Sequence, residues 1–248
     1  MASANNAIRN HHAKMYIDEV FADTLKQEGF INPDGKSISW YRVVNNELVH
    51  AVYFHATWGQ LPLMGMRLES NVFPLFNKIP YYSSIYSSSS NRHCGYRSKL
   101  ISDVPDERGT TCMAPYSDDI LVYAVRSGER GLYTLKTDAL PWFKNAMTLR
   151  DYYSLIENEF HNEKNPFDKT PLQDVATLSV FYGNTINYEN YSECLANLIP
   201  CLGDDATRER LVATKAAMDS GNREEFFAHL EVQKQKNIRW LKKMGIIA

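Results

Sequence analysis

The chain lacks any run of about 18 apolar residues, so no membrane-spanning helix is expected. It has no C-x-x-C pair. Its four cysteines, Cys94, Cys112, Cys194 and Cys201, stand apart, which removes the zinc-knuckle and dithiol-redox spacings. G-x-G-x-x-G, G-x-x-x-x-G-K-[ST] and H-E-x-x-H are all missing, so dinucleotide, P-loop and zincin chemistry have no motif to rest on. The paired glycines of Ser127-Gly128-Glu129-Arg130-Gly131 flank an acid that would repel phosphate, and they read as a turn. Met1 to Ile8 show no charged stretch leading into an apolar one, so no secretory signal is read there. The expectation is a cytoplasmic protein with reduced cysteines. A large excess of one charge is absent too: 27 Lys/Arg stand against 29 Asp/Glu, for a net charge of −2. A globally basic nucleic-acid binder is therefore not expected.

What is present is soluble, globular composition. The 248 residues are 44% hydrophobic and 23% charged, enough for one large domain or two modest ones without a disulfide or metal staple. From about His12 to Glu28, Met15, Val20, Phe21 and Leu25 recur near the 3.6 spacing of an amphipathic helix. Gly29 suits the left-handed residue after it, and Phe30 can fold back onto the helix end. After the turn Asn32-Pro33-Asp34-Gly35, Ile38 to Val44 is rich in β-formers, and Asn45-Asn46 suits a tight hairpin turn. Leu48 to Trp58 alternates as a strand, and a third strand is read from about Leu63 to Glu69. Residues 71–117 carry breaks at Pro74 and Pro80, a serine run, and room for a short edge strand around Arg97 to Ser102; they read as a long irregular stretch.

Beyond it the pattern turns helical. Asp118 to Val125 is open between strand and helix, with helix preferred. Leu132 to Leu140 reads as a helix stopped by Pro141. Thr148 caps a helix running to Phe160, and four more are read at about Leu172 to Tyr182, Tyr188 to Ile199, Ala206 to Ser220 and Arg223 to Met244. Asn222 and Glu225 have capping-box spacing. The expected fold class is α+β: an N-terminal helix, an antiparallel meander of three to four strands, then an α-helical C-terminal half. The sheet region spans 1–117 and the helical region 118–248, packed as one continuous globule.

Two stretches carry a resemblance. Leu25-Lys26-Gln27-Glu28-Gly29-Phe30 with Trp40-Tyr41-Arg42 and the strand Val49 to Trp58 form the first. Ala139-Leu140-Pro141-Trp142-Phe143 ahead of the Thr148 helix forms the second. Over roughly residues 12–182 the layout resembles a bacterial family of unknown function, the 4304-type domain. The resemblance implies an α+β front half, helices behind it and bacterial origin, and brings no catalytic residues.

Candidate chemistry is sparse. Cys94 lies beside Arg92, His93 and Arg97, whose charges would favour a thiolate. A cysteine nucleophile there needs a base brought in by folding, and His50 or His55 are the candidates. These two histidines differ by five positions, so a regular strand sends them to opposite faces and they do not chelate one ion. No metal site and no cofactor is expected. The more suggestive feature is the loop of residues 81–99. Glu69 to Asp103 contains no intervening acid, while Lys78, Arg92, Arg97 and Lys99 supply four positive charges. Tyr81, Tyr82, Tyr86 and Tyr96 interleave with Arg92, His93, Arg97 and Lys99, which is binding-surface composition. The expected role is a non-enzymatic, immunity- or adaptor-like module. It would bind an acidic protein partner through this loop and an exposed sheet face; nucleic acid and membrane are not the expected partners.

Overall fold

The computed structural model describes residues 14, 17–35, 37–56, 66–77, 79, 81, 96–97, 131–133, 135–162, 172–184, 188–203 and 205–248. Helix α1 (17–27) forms because Ile17, Phe21 and Leu25, four apart, fall on one face; all three are fully buried. Gly29 (φ +79°) ends it, and the Phe30 amide donates to the Leu25 carbonyl at 2.9 Å, which turns the Phe30 ring back into the core.

Strands β1 (Ser39–Val44), β2 (Leu48–Ala56), β3 (Met66–Pro74) and β4 (Tyr96–Arg97) form one antiparallel sheet in that order. Asn45, Asn46 and Glu47 join β1 to β2; Asn45 and Asn46 take φ of 51° and 54°, the left-handed pair of a tight turn that the Glu47 amide closes by donating to the Val44 carbonyl at 3.0 Å. β3 corrects one reading. It runs on through Asn71-Val72-Phe73-Pro74, which the sequence reading assigned to the irregular stretch. Pro74 is the strand's last residue, paired with Leu48, where a missing amide costs no interior ladder bond. The irregular stretch also returns to the sheet as the two-residue β4, at the near end of the edge strand read from the sequence.

Among the sheet side chains described, none is exposed on either face. Every residue from Leu48 to Phe54 is buried. The even face (His50, Val52, Phe54) receives α1, with Phe21 and Phe54 ring centroids 4.8 Å apart, and Phe143, whose ring stacks on His50 at 4.5 Å. The odd face (Val49, Ala51, Tyr53) carries Tyr41 and Phe73, and Trp240 from the C-terminal helix packs edge-on against Tyr41 at 5.9 Å.

Among the described residues after β4, 131–133 are helical, and a π-helical turn, Leu135–Ala139, leads into α2 (Leu140–Phe143). Pro141 does not stop this segment as expected. It stands at the second position of α2, which continues the π-helical turn without a break. Then follow α3 (Leu149–Asn162), α4 (Leu172–Tyr182), α5 (Tyr188–Leu198), α6 (Asp205–Ser220) and α7 (Arg223–Lys243). Thr148 caps α3 as read: its Oγ1 accepts from the Asp151 amide at 3.1 Å, and Asp151 accepts from the Thr148 amide at 2.9 Å. Asn222 precedes α7 without any side-chain cap bond.

Candidate functional site

The chain leaves β3 through Leu75, Phe76 and Asn77, which are buried, and reaches the surface at Tyr81, 37% exposed. The Tyr81 ring stands edge-on to Trp240, centroids 6.4 Å apart, and Trp240 bridges inward to Tyr41. Tyr81 is thus the exposed end of a three-ring row running out of the odd face. Among the proposed binding residues, Tyr96 and Arg97 are placed as β4, opposite Val72 and Asn71. Tyr82, Tyr86, Arg92, His93 and Lys99 lie outside the described residues, as does Cys94.

His50, a candidate base, is fully buried on β2. Arg42, opposite it on β1, donates from Nε to His50 Nδ1 at 3.2 Å. A guanidinium only donates, so Nδ1 is an acceptor and the proton is on Nε2, which donates to the Ala146 carbonyl at 2.7 Å. Burial, with Arg42's charge adding to it, pushes the imidazole down to about 3 against the pull of the Ala146 bond. Both nitrogens are engaged, and no lone pair is left to take a proton from a thiol. Arg42 is itself sandwiched over Phe30 (4.6 Å) and Phe143 (5.5 Å) and donates to the Glu28 carbonyl at 2.8 Å. The result is a packing unit clamping α1, β1, β2 and α2. His55 pairs with Arg67 in the β2–β3 ladder.

Sequence reasoning missed a buried polar cluster where β3, α3, α4, α6 and α7 meet. Asn77 Nδ2 lies 2.7 and 2.8 Å from the two carboxylate oxygens of Asp174, and the Tyr152 hydroxyl donates to the same carboxylate at 2.6 Å. Arg210 donates from one terminal nitrogen to Asn77 Oδ1. Asn237 Nδ2 reaches the Leu75 and Asn77 carbonyls at 2.6 and 2.5 Å. Asn77 therefore relays between an acid and a base that do not touch directly. Burial raises the Asp174 carboxyl above its usual range, opposed by the Arg210 charge and the bonds from Tyr152 and Asn77. Arg210 is 94% buried, yet its Nε and second terminal nitrogen have no hydrogen-bond partner among the described residues. The signal was available in α4: residues 174–180 are buried all round, and a charged residue in such a helix must find partners.

Cys194 is half-buried, which raises its thiol, and Cys201 is exposed; both are free. Among the described residues no group of His, Cys, Asp and Glu is arranged to hold a metal, and no helix is long and apolar enough to cross a membrane. No known protein family, curated protein or solved structure matches the chain.

Proposed function

We propose that this is a bacterial cytoplasmic interaction protein, of adaptor or immunity type and of 4304-type layout, that captures an acidic protein partner through residues 81–99. The observation that carries the reading is Tyr81. It opens the basic, tyrosine-rich stretch from an exposed position, braced edge-on by Trp240, and the stretch rejoins the sheet at Tyr96–Arg97. Tyr81 and Tyr96–Arg97, at the two ends of this stretch, are thus each placed against a packed element. Tyrosine and arginine supply broad, low-entropy contact and carboxylate pairing respectively. On the enzymatic side, His50 has both nitrogens engaged, which counts against it as the base for Cys94.

The test is quantitative capture from lysate by the full chain and by the Arg92→Glu, Arg97→Glu, Lys99→Glu triple variant. A specific acidic protein retained by the first and lost by the second supports the reading. Equal retention overturns it.

A further inference from the structure

Helix α7 is segregated by charge along its exposed face, and the segregation is self-complementary. Residues 223–231 carry Glu224, Glu225 and Glu231 and one base, Arg223, which is turned off this face onto the Phe227 ring and the Phe181 carbonyl. From Val232 to Ala248 there are five Lys/Arg and no acid. The buried side of the helix, Phe226, Leu230, Asn237 and Leu241, is committed to the core. The opposite side is exposed over its whole length, from Glu224 and Glu225 through Ala228, Val232 and Gln235 to Arg239, Lys242 and Lys243. Helix-dipole matching accounts for charges within the first and last turns. It does not account for the basic run reaching back to Lys236. Among the described residues none of the charged groups on this face has an ion-pair partner within the chain.

We infer that this face docks a second copy of the same chain, the two α7 helices lying antiparallel about a two-fold axis near residues 233–234. In that register Glu224 of each copy faces Lys242 of the other on one flank, and Glu225 faces Lys243 on the other flank. Small Ala228 faces Arg239, and Val232, 56% exposed, faces Gln235 at the centre. A two-fold contact uses the same patch twice, so acid must meet base when the helix is reversed against itself, as it does here. A parallel pairing would set the acids against acids and the bases against bases. An anionic lipid surface fits less well, because the apolar side of α7 is already inside the protein and only Val232 is a large exposed apolar residue on this helix. The inference is independent of the 81–99 reading, since Trp240 and Tyr81 lie off this face.

The experiment is sedimentation equilibrium of the full chain at low and at 0.5 M salt (roughly three times physiological ionic strength). It is run on the wild type, on Glu224→Lys/Glu225→Lys, on Lys242→Glu/Lys243→Glu, and on an equal mixture of the two variants. All four positions are exposed, and circular dichroism checks that the variants fold. Expected are a wild-type dimer that weakens with salt, each variant alone weakened by about tenfold or more, and recovery of the dimer in the mixture. A wild type that stays at 28.5 kDa at high concentration overturns the inference. So does a dimer indifferent to both variants, or a mixture that fails to recover.

Discussion

Replacing His50 by Gln should remove a definite slice of the protein's acid sensitivity. The folded imidazole is held down to about 3, against 6.5 when exposed. Between those values the unfolded chain binds the proton and the folded chain does not, so acid favours unfolding. The contribution of a neutral His50 is complete above pH 6.5 and falls by about 1.4 kcal/mol per pH unit below it. By pH 5 that is about 2 kcal/mol, and across the whole window about 5 kcal/mol. Glutamine keeps a donor for the Ala146 carbonyl and an acceptor for Arg42 but does not titrate. Its variant starts less stable at pH 7, because the ring stacked on Phe143 is gone, and the gap to wild type then closes on acidification. Urea unfolding followed by tryptophan fluorescence at pH 7, 6 and 5 measures the gap, and the other titrating groups cancel in the difference. A gap that stays constant from pH 7 to 5, or a His50 ring proton titrating near 6.5 in the folded protein, would refute the reasoning.

Two further outcomes follow from the packing. Asn77→Ala strips the relay from Asp174 and Arg210 and should cost about 3–5 kcal/mol, because both charges stay buried. That corresponds to a melting temperature lower by roughly 6–20 °C for a chain of this size. Tyr152→Phe, which leaves both Asn77 contacts to Asp174, should cost about 1.5 kcal/mol, and equal losses in the two variants would rule the relay out. At the hairpin, Asn46→Gly should stay within about 0.5 kcal/mol of wild type while Asn46→Ala costs about 1 kcal/mol, since alanine resists the left-handed backbone; thermal melts that rank the pair the other way would contradict the turn assignment.

Local rules made much of this fold legible. The Asn45-Asn46 turn, the Gly29 stop and the Thr148 cap each rest on one or two residues whose backbone preference leaves little choice, and each is where the sequence put it. The helices after Thr148 were legible because their apolar positions recur over three turns or more. What escaped were the features decided at long range. β3 continues into Val72-Phe73-Pro74 because β2 and the packed odd face reward pairing there, and no local signal outweighs a proline. Pro141 reads as a stop by local rules, yet the helical run continues through it to Phe143. His50 looks reactive in the sequence and inert in the fold, because Arg42 and Ala146 come to it from other elements. The Asn77–Asp174–Arg210 cluster joins residues 97 and 133 positions apart, a distance no spacing rule spans.

The row Tyr53–Tyr41–Trp240 has a consequence for how the protein is made. The odd face of the sheet is synthesised early, but one of the two rings on Tyr41, Trp240, comes from α7, 187 positions after Tyr53. At a ribosomal pace of about 5–20 residues per second, the Tyr41–Trp240 contact waits roughly 10–40 s for its second ring. Closure of this end of the core is therefore tied to the completion of the last helix rather than to the formation of the sheet itself.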